Sequence, residues 1–131
     1  EAAVKSCWWP ENIQISRQLG RHIPPVKANA KRLEAVFHNL LSNGIHALTP
    51  QGGEIRLQTG LTTAGEVEII LADNGPGIPE DMIDQIFVTF FTTKEAGSGV
   101  GLSLSRQIMR LHRGSISVQS SPGKTVFTLR F

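Results

Sequence analysis

The sequence predicts an α/β two-layer sandwich, on three observations. Apolar residues alternate with polar ones in several short stretches, as at Ile13 and Ile15, Ile55 and Leu57, and Val67, Ile69 and Leu71, the period of half-buried strands. Segment 30–48 instead repeats apolar residues along one helical face. Strand-like and helix-like segments interleave without strict alternation, which agrees with helices layered on a sheet.

The chain has 131 residues, of which 40% are hydrophobic and 18% charged, the size and composition of one globular domain able to bury a core. The net charge, 13 − 11 = +2, is spread along the chain and forms no nucleic-acid stripe, so no nucleic-acid partner is expected. The single cysteine, Cys7, excludes an internal disulfide. No apolar run reaches membrane-spanning length, and no direct membrane contact is expected. The first residues, Glu1-Ala2-Ala3-Val4-Lys5, do not read as a signal peptide. With no initiator Met, the chain reads as a piece of a longer one.

Residues 1–9 suit the end of a helix or an edge strand. Residues 11–19 alternate and read as a strand; Pro24-Pro25 then forbids helix and ladder alike. Asn29 is the expected N-cap of a helix over 30–48. Its apolar stripe is Leu33, Val36, Phe37, Leu40, Leu41, Gly44, Ala47 and Leu48. Asn39, Asn43 and His46 form a second row beside that stripe. Two Asn inside a helix are poor helix formers without packing benefit. They make either a solvated shoulder or a row of amide oxygens suited to a hard cation and phosphates.

Strands are expected over 54–59 and 66–73, the second ending on Asp73. Asp73-Asn74-Gly75-Pro76 is strong turn chemistry by itself. It also sets a fixed carboxylate beside glycines that allow a flat ligand close to the backbone. Pro79, Glu80 and Asp81 open an expected helix over 79–87. Residues 88–98 have no clean period yet carry Phe90 and Phe91, which suits a mobile lid over a site. Gly97, Gly99 and Gly101 run into a helix over 100–112, with Leu104, Ile108 and Leu111 as its expected buried stripe. Glycines at a helix start leave backbone N–H groups open to an anion. Gly114 is expected to stop that helix. Ile116 and Val118 mark the next strand, and Pro122-Gly123 turns the chain into the last, 125–131.

Two phosphate motifs nearly appear. Gly123-Lys124-Thr125 resembles the end of a P-loop, but its first glycine position holds Val118. Gly97, Gly99 and Gly101 are spaced G-x-G-x-G rather than G-x-G-x-x-G. The four His are dispersed without metal spacing.

Together, the Asn row, the Asp-x-Gly-x-Gly segment, the Phe-Phe-Thr-Thr-Lys segment and the glycine-led helix resemble the catalytic ATP-binding domain of bacterial sensor histidine kinases. That domain belongs to the superfamily shared with DNA gyrase, Hsp90 and MutL. The resemblance implies the Bergerat-type fold: a mixed sheet of about five strands with three helices on one face. Asn39-Leu40-Leu41-Ser42-Asn43 resembles the N box, implying that Asn39 holds Mg²⁺ and Asn43 meets phosphate. Residues 73–77 resemble the G1 box, implying that Asp73 accepts the adenine amino group while Gly75, Gly77 and Ile78 line the nucleotide. Residues 87–94 resemble the F box, with Lys94 on the ligand. Residues 97–102 resemble the G2 box, with Gly97, Gly99, Gly101 and Leu102 around the phosphates. Thr125, in the last glycine box, would support adenine through Asp73 and water. Three positions depart from the family's usual residues: Gly44 stands for Ala, His46 for Lys or Gln, and Lys124 for Gly.

The resemblance implies a cytoplasmic module that binds Mg-ATP and supplies the γ-phosphoryl group to a histidine on an upstream dimerisation domain. A response regulator's receiver domain follows in that scheme. None of the four His here is followed by the acidic residue typical of the family's acceptor. The alternative is a non-catalytic ATP-binding regulatory module, which the departures at 44, 46 and 124 keep open.

Overall fold

The structure, a computed structural model, describes residues 11–20, 28–49, 51–87 and 101–131. The expected lid at 88–98, with Lys94, Gly97 and Gly99, lies outside the described residues, as do segment 1–9 and Pro24-Pro25. The elements run β1 (Ile13–Gln18), α1 (Ala30–Leu48), β2 (Gly53–Leu61), β3 (Val67–Asp73), α2 (Glu80–Ile83), α3 (Gly101–Leu111), β4 (Ser115–Ser121) and β5 (Lys124–Arg130).

The five strands form one mixed sheet in the order β1-β2-β3-β5-β4. β1 pairs parallel with β2 because the whole of α1 crosses between them. The other pairs are antiparallel. Their register stacks inward-facing residues into rows across the sheet. Leu57, Leu71, Phe127 and Val118 make one row; Thr59, Ile69, Leu129 and Ile116 make the next. The row nearest the loop that follows β3 is Ile55, Asp73, Thr125 and Ser120. Two steps away apolar side chains fill the core; here three of the four are polar. The opposite face carries Arg56, Gln58, Glu68 and Arg130, with Arg130 Nε donating to Glu68 at 2.9 Å. Being partly exposed, that pair contributes no more than about 1 kcal/mol.

α1 follows the expected bounds. Asn29 Oδ1 accepts from Arg32 N–H at 3.1 Å and closes the first turn. Val36, Leu40, Leu41, Gly44 and Leu48 are buried against the sheet and α3. The same stripe keeps Asn39 and Asn43 half-buried at its edge and leaves His46 exposed.

Two helices depart from expectation. The helix expected over 79–87 is a single turn, Glu80–Ile83, with no buried residue. Met82 N–H bonds Pro79 O and Gln85 N–H bonds Met82 O, tight i→i+3 closures that do not propagate an α-helix. The buried apolar residue of this segment, Ile86, follows the turn rather than lying within it.

In α3 the expected stripe is rotated. Ile108 is buried, but Leu104 is 43% and Leu111 67% exposed, while Ser105 and Met109 are fully buried. Polar ties set this rotation. Ser105 Oγ donates to Gly101 O at 2.8 Å and receives Asn39 Nδ2 from α1 at 3.4 Å. At the other end His112 donates from Nδ1 to Ile108 O at 2.8 Å and accepts Asn29 N–H on Nε2 at 2.9 Å. α3 is thus pinned to α1 near both of its own ends. The helix stop also differs in detail. Arg113 takes the left-handed conformation (φ 57°), and Gly114 N–H returns to Met109 O at 2.8 Å, a Schellman closure. Gly114 is needed because a Cβ there would overlap Arg130 O.

The rotation of α3 is directly testable. Ile108→Ala should cost about 2–5 kcal/mol of unfolding free energy. Leu111→Ser should stay within about 0.5 kcal/mol of the parent. Urea titration of both variants measures the contrast.

Candidate functional site

The site is built on the polar row at the edge of the apolar core. Asp73 ends β3 on the inward face, beneath α1. A Cβ added to Gly44 of α1 would lie 3.9 Å from Asp73 Oδ2, so this helix passes close over the carboxylate. Burial pushes the Asp73 carboxyl above its usual range, and the Gly75 N–H, bonded to Oδ1 at 3.0 Å, partly offsets this. One oxygen is therefore engaged by the backbone, and the other lies on the α1 side.

The loop after β3 is clamped from two directions. Asn74 Oδ1 accepts Glu54 N–H at 2.8 Å, and Asn74 N–H returns to Glu54 O at 3.3 Å. Asn74 thereby ties the loop to the start of β2. On the far side, Ile78 N–H donates to Ser120 Oγ at 2.7 Å. Gly77 sits at φ +88°, and a Cβ there would overlap Ser121 O. Both its conformation and its closeness to β4 require glycine. A Cβ on Gly75 would lie 2.9 Å from Asp73 Oδ1 and 3.3 Å from Ala47 O.

Thr125, 5% exposed, lies directly opposite Asp73 in the β3–β5 register. Its hydroxyl is 3.1 Å from Ser120 Oγ. Asp73, Gly75, Gly77, Ile78 and Thr125 therefore converge at one end of the site, with Gly44 and Ala47 above them. Asn74 and Ser120, which sequence reasoning did not assign, hold this cluster together. Ser120 had one signal: it continues the inward positions Ile116 and Val118 but is polar.

The other end lies along α1. At 1.5 Å per residue, Asn39 is about 12 Å from Ala47 on the helix axis. Asn39 Nδ2 donates to Gly101 O at 3.3 Å as well as to Ser105. The expectation that Asn39 has no packing benefit is thus corrected: its amide nitrogen joins α1 to the first turn of α3. This arrangement leaves Oδ1 as the atom for a cation. A hard cation such as Mg²⁺ takes oxygen ligands, keeps several waters and needs only one or two protein groups besides phosphates, so a single amide oxygen fits it. Asn43 sits one turn further along α1, half-buried. Leu102 packs against the core beside Gly101. An open groove of about 500 Å³, lined by Lys31, Glu34, Ala35, His38 and Asn39, continues from this end. Phe87 lies under the Arg106 guanidinium, 5.3 Å from ring centroid to charge. Among the described residues no three of His, Cys, Asp and Glu gather as a metal cage.

A half-buried acceptor near one end of α1 and an amide row reaching about two turns away suit an elongated ligand with a donor-bearing ring and an anionic tail. Comparison with known proteins agrees. Residues 28–131 match the family described as histidine kinase-, DNA gyrase B- and HSP90-like ATPase, and the chain belongs to that ATP-binding family. Several similar relatives are named as kinases. The sensory histidine kinase/phosphatase NtrB of Salmonella typhimurium is 35% identical over 136 residues, covering 97% of this chain and 39% of NtrB. Sporulation kinase E of Bacillus subtilis is 39% identical over 117 residues, covering 88% of this chain and 16% of its own length. The chain spans less than half of either relative. The catalytic domain of histidine kinase ThkA superposes with a TM-score of 0.78 at 31% identity, covering 92% of this chain and 78% of that one. The mycobacterial sensor histidine kinase MprB superposes with a TM-score of 0.79 at 25% identity, covering 92% and 83%. The fold is that of the histidine kinase catalytic domain, as the sequence motifs led one to expect. No helix among the described residues is long and apolar enough to cross a membrane.

The raised carboxyl of Asp73 has a consequence for stability. A carboxyl whose folded-state pKa lies above its unfolded value of 3.8 binds protons more tightly when folded. The folded state loses stability as pH rises from the unfolded value through the folded one, and the loss persists at neutral pH. Asp73→Asn, which keeps an oxygen for Gly75 N–H, should therefore raise the urea midpoint at pH 7. The advantage should close as pH falls below the unfolded value. A midpoint-against-pH series on both forms measures it.

Proposed function

We propose that this chain binds Mg-ATP and presents its γ-phosphoryl group to a histidine on a separate helical domain. The observation that carries this reading is Asp73: a half-buried carboxylate, one oxygen fixed by Gly75 N–H, closed over by Gly44 and faced by Thr125. A protein keeps an ionisable group in such a place at a cost, and a ligand donor such as the adenine amino group offsets it. Gly75, Gly77 and Ile78 then line the base. Asn39, oriented by its bonds to Gly101 and Ser105, would hold Mg²⁺, and Asn43 the phosphates, with Gly101 and Leu102 at the start of α3 beside them. Bound magnesium supplies charge neutralisation for the transferring phosphoryl group. The contribution of the chain is positioning, with no covalent step of its own.

The departures at 44 and 124 leave this arrangement intact. Gly44 admits α1 close to Asp73, and Lys124 acts through its backbone carbonyl, which accepts from Ser120. The names of the relatives support the kinase assignment over the non-catalytic regulator. They also support an upstream histidine-bearing dimerisation domain and a response regulator receiver domain as partners; a cytoplasmic location is part of the same proposal.

A charge-assisted hydrogen bond contributes about 1.5–3 kcal/mol. Asp73→Asn should therefore weaken ATP binding about ten- to a hundredfold while stabilising the fold as described above. Calorimetry measures it; equal affinity of the parent chain for ATP and GTP would overturn the reading.

Asn39→Ala should reduce the gain in ATP affinity on adding Mg²⁺. Its stability should fall by no more than about 1 kcal/mol, because two long hydrogen bonds are lost while helix propensity improves. An unchanged Mg²⁺ dependence in Asn39→Ala, with a loss in Asn43→Ala, would move the metal to Asn43.

For the transfer itself, radiolabelled ATP is added to the chain alone and then with its own upstream helical hairpin as a separate polypeptide. Acid-labile label should appear only on the hairpin. Label on the chain itself would make it a self-contained enzyme.

A further inference from the structure

Ser120 carries more hydrogen bonds than a strand serine needs, and their directions are constrained. Its hydroxyl oxygen has one proton and two lone pairs. Ile78 N–H occupies one lone pair at 2.7 Å. The carbonyl of Lys124, which can only accept, takes the proton at 3.1 Å. The contact with Thr125 Oγ1 at 3.1 Å then has one consistent assignment: Thr125 donates to Ser120. Thr125 is left with lone pairs and no proton for any other partner.

Asp73, directly across the β3–β5 ladder from Thr125, is likewise an acceptor, with one oxygen already taken by Gly75. Both polar side chains at this end of the site therefore ask for donors. Adenine offers an amino group where guanine has a carbonyl oxygen. A threonine free to rotate its hydroxyl would serve either base, directly or through water; a threonine whose proton is held by Ser120 would not.

We propose that Ser120 is a specificity-determining positioning residue: by taking the Thr125 proton and the Ile78 N–H together, it leaves acceptors facing the base, which favour the adenine amino group over the carbonyl oxygen that guanine carries at the same ring position. This rests on the nucleotide reading above. Ser120 acts through Thr125 and the loop after β3 rather than by touching the base.

The test is the ratio of ATP to GTP affinity, measured by calorimetry for the parent chain, Ser120→Ala and Ser120→Thr. Ser120→Ala frees the Thr125 proton, and the ratio should fall about tenfold, the scale of one hydrogen bond. Affinity for GTP should hold or rise. Ser120→Thr keeps the hydroxyl and should restore the parent ratio. Should the alanine form not fold, Ser120→Cys, with similar volume and only weak hydrogen bonding, should show the same fall. An unchanged ratio in the alanine or cysteine form, including equal losses for both nucleotides, overturns the proposal and leaves the ATP reading standing. A parent chain without preference for ATP overturns both.

Discussion

A single carboxylate is held at the inward end of an otherwise apolar sheet face, and much of the structure answers to that constraint. Water is partly excluded from Asp73, so its charge is disfavoured. The neighbours limit the penalty in specific ways. Gly75 supplies a backbone donor, and Thr125 and Ser120 continue the row as polar residues where the next row is apolar. Gly44 interrupts a good helix, at about 1 kcal/mol relative to Ala, and so lets α1 close over the carboxylate. A Cβ at that position would sit 2.9 Å from Ile55 Cδ1, a contact relieved only by moving the end of a side chain. The region is locally suboptimal in several respects at once, as sites for ligands are.

The second constraint is the joint between α1 and α3. The helices could slide or rotate against each other if only apolar contacts held them. Polar bonds fix the rotation instead: Asn39 to Gly101 and Ser105 near one end, Asn29 to His112 at the other. Because Nε2 of His112 accepts and Nδ1 donates, the imidazole is bound in one neutral tautomer. The start of α3 is thereby placed against the Asn row, and any ligand group held by Asn39 lies next to Gly101.

What could be read from sequence follows from which forces are local. α1 was legible because its N-cap and apolar stripe are both local to the segment. The five strands announced themselves by alternation, and Asp73 by its place between a strand and a glycine turn. The rotation of α3 was not legible. Leu104 and Leu111 look like core, but the polar ties of Ser105 and His112 to another helix turn them outward, and such ties leave no period in the sequence. The brevity of α2 was missed because capping residues at 79–81 signal a start without saying how many turns follow. Asn74 and Ser120 act through partners 20 and 42 residues distant, which local pattern does not encode.

The pairing of β1 with β2 joins residues 53 − 13 = 40 positions apart, and that of β3 with β5 joins 125 − 73 = 52. The hairpins β2–β3 and β4–β5 are local by comparison and can close within microseconds, whereas the long closures carry a larger entropy cost. Asp73 meets Thr125, Ile78 meets Ser120, and Asn39 meets Gly101 only across such closures. No contiguous stretch of the chain holds a usable fraction of the cleft. During synthesis the nascent polypeptide remains blind to nucleotide until β5 has emerged and docked, and a ligand arriving afterwards selects the finished topology over every partly assembled one.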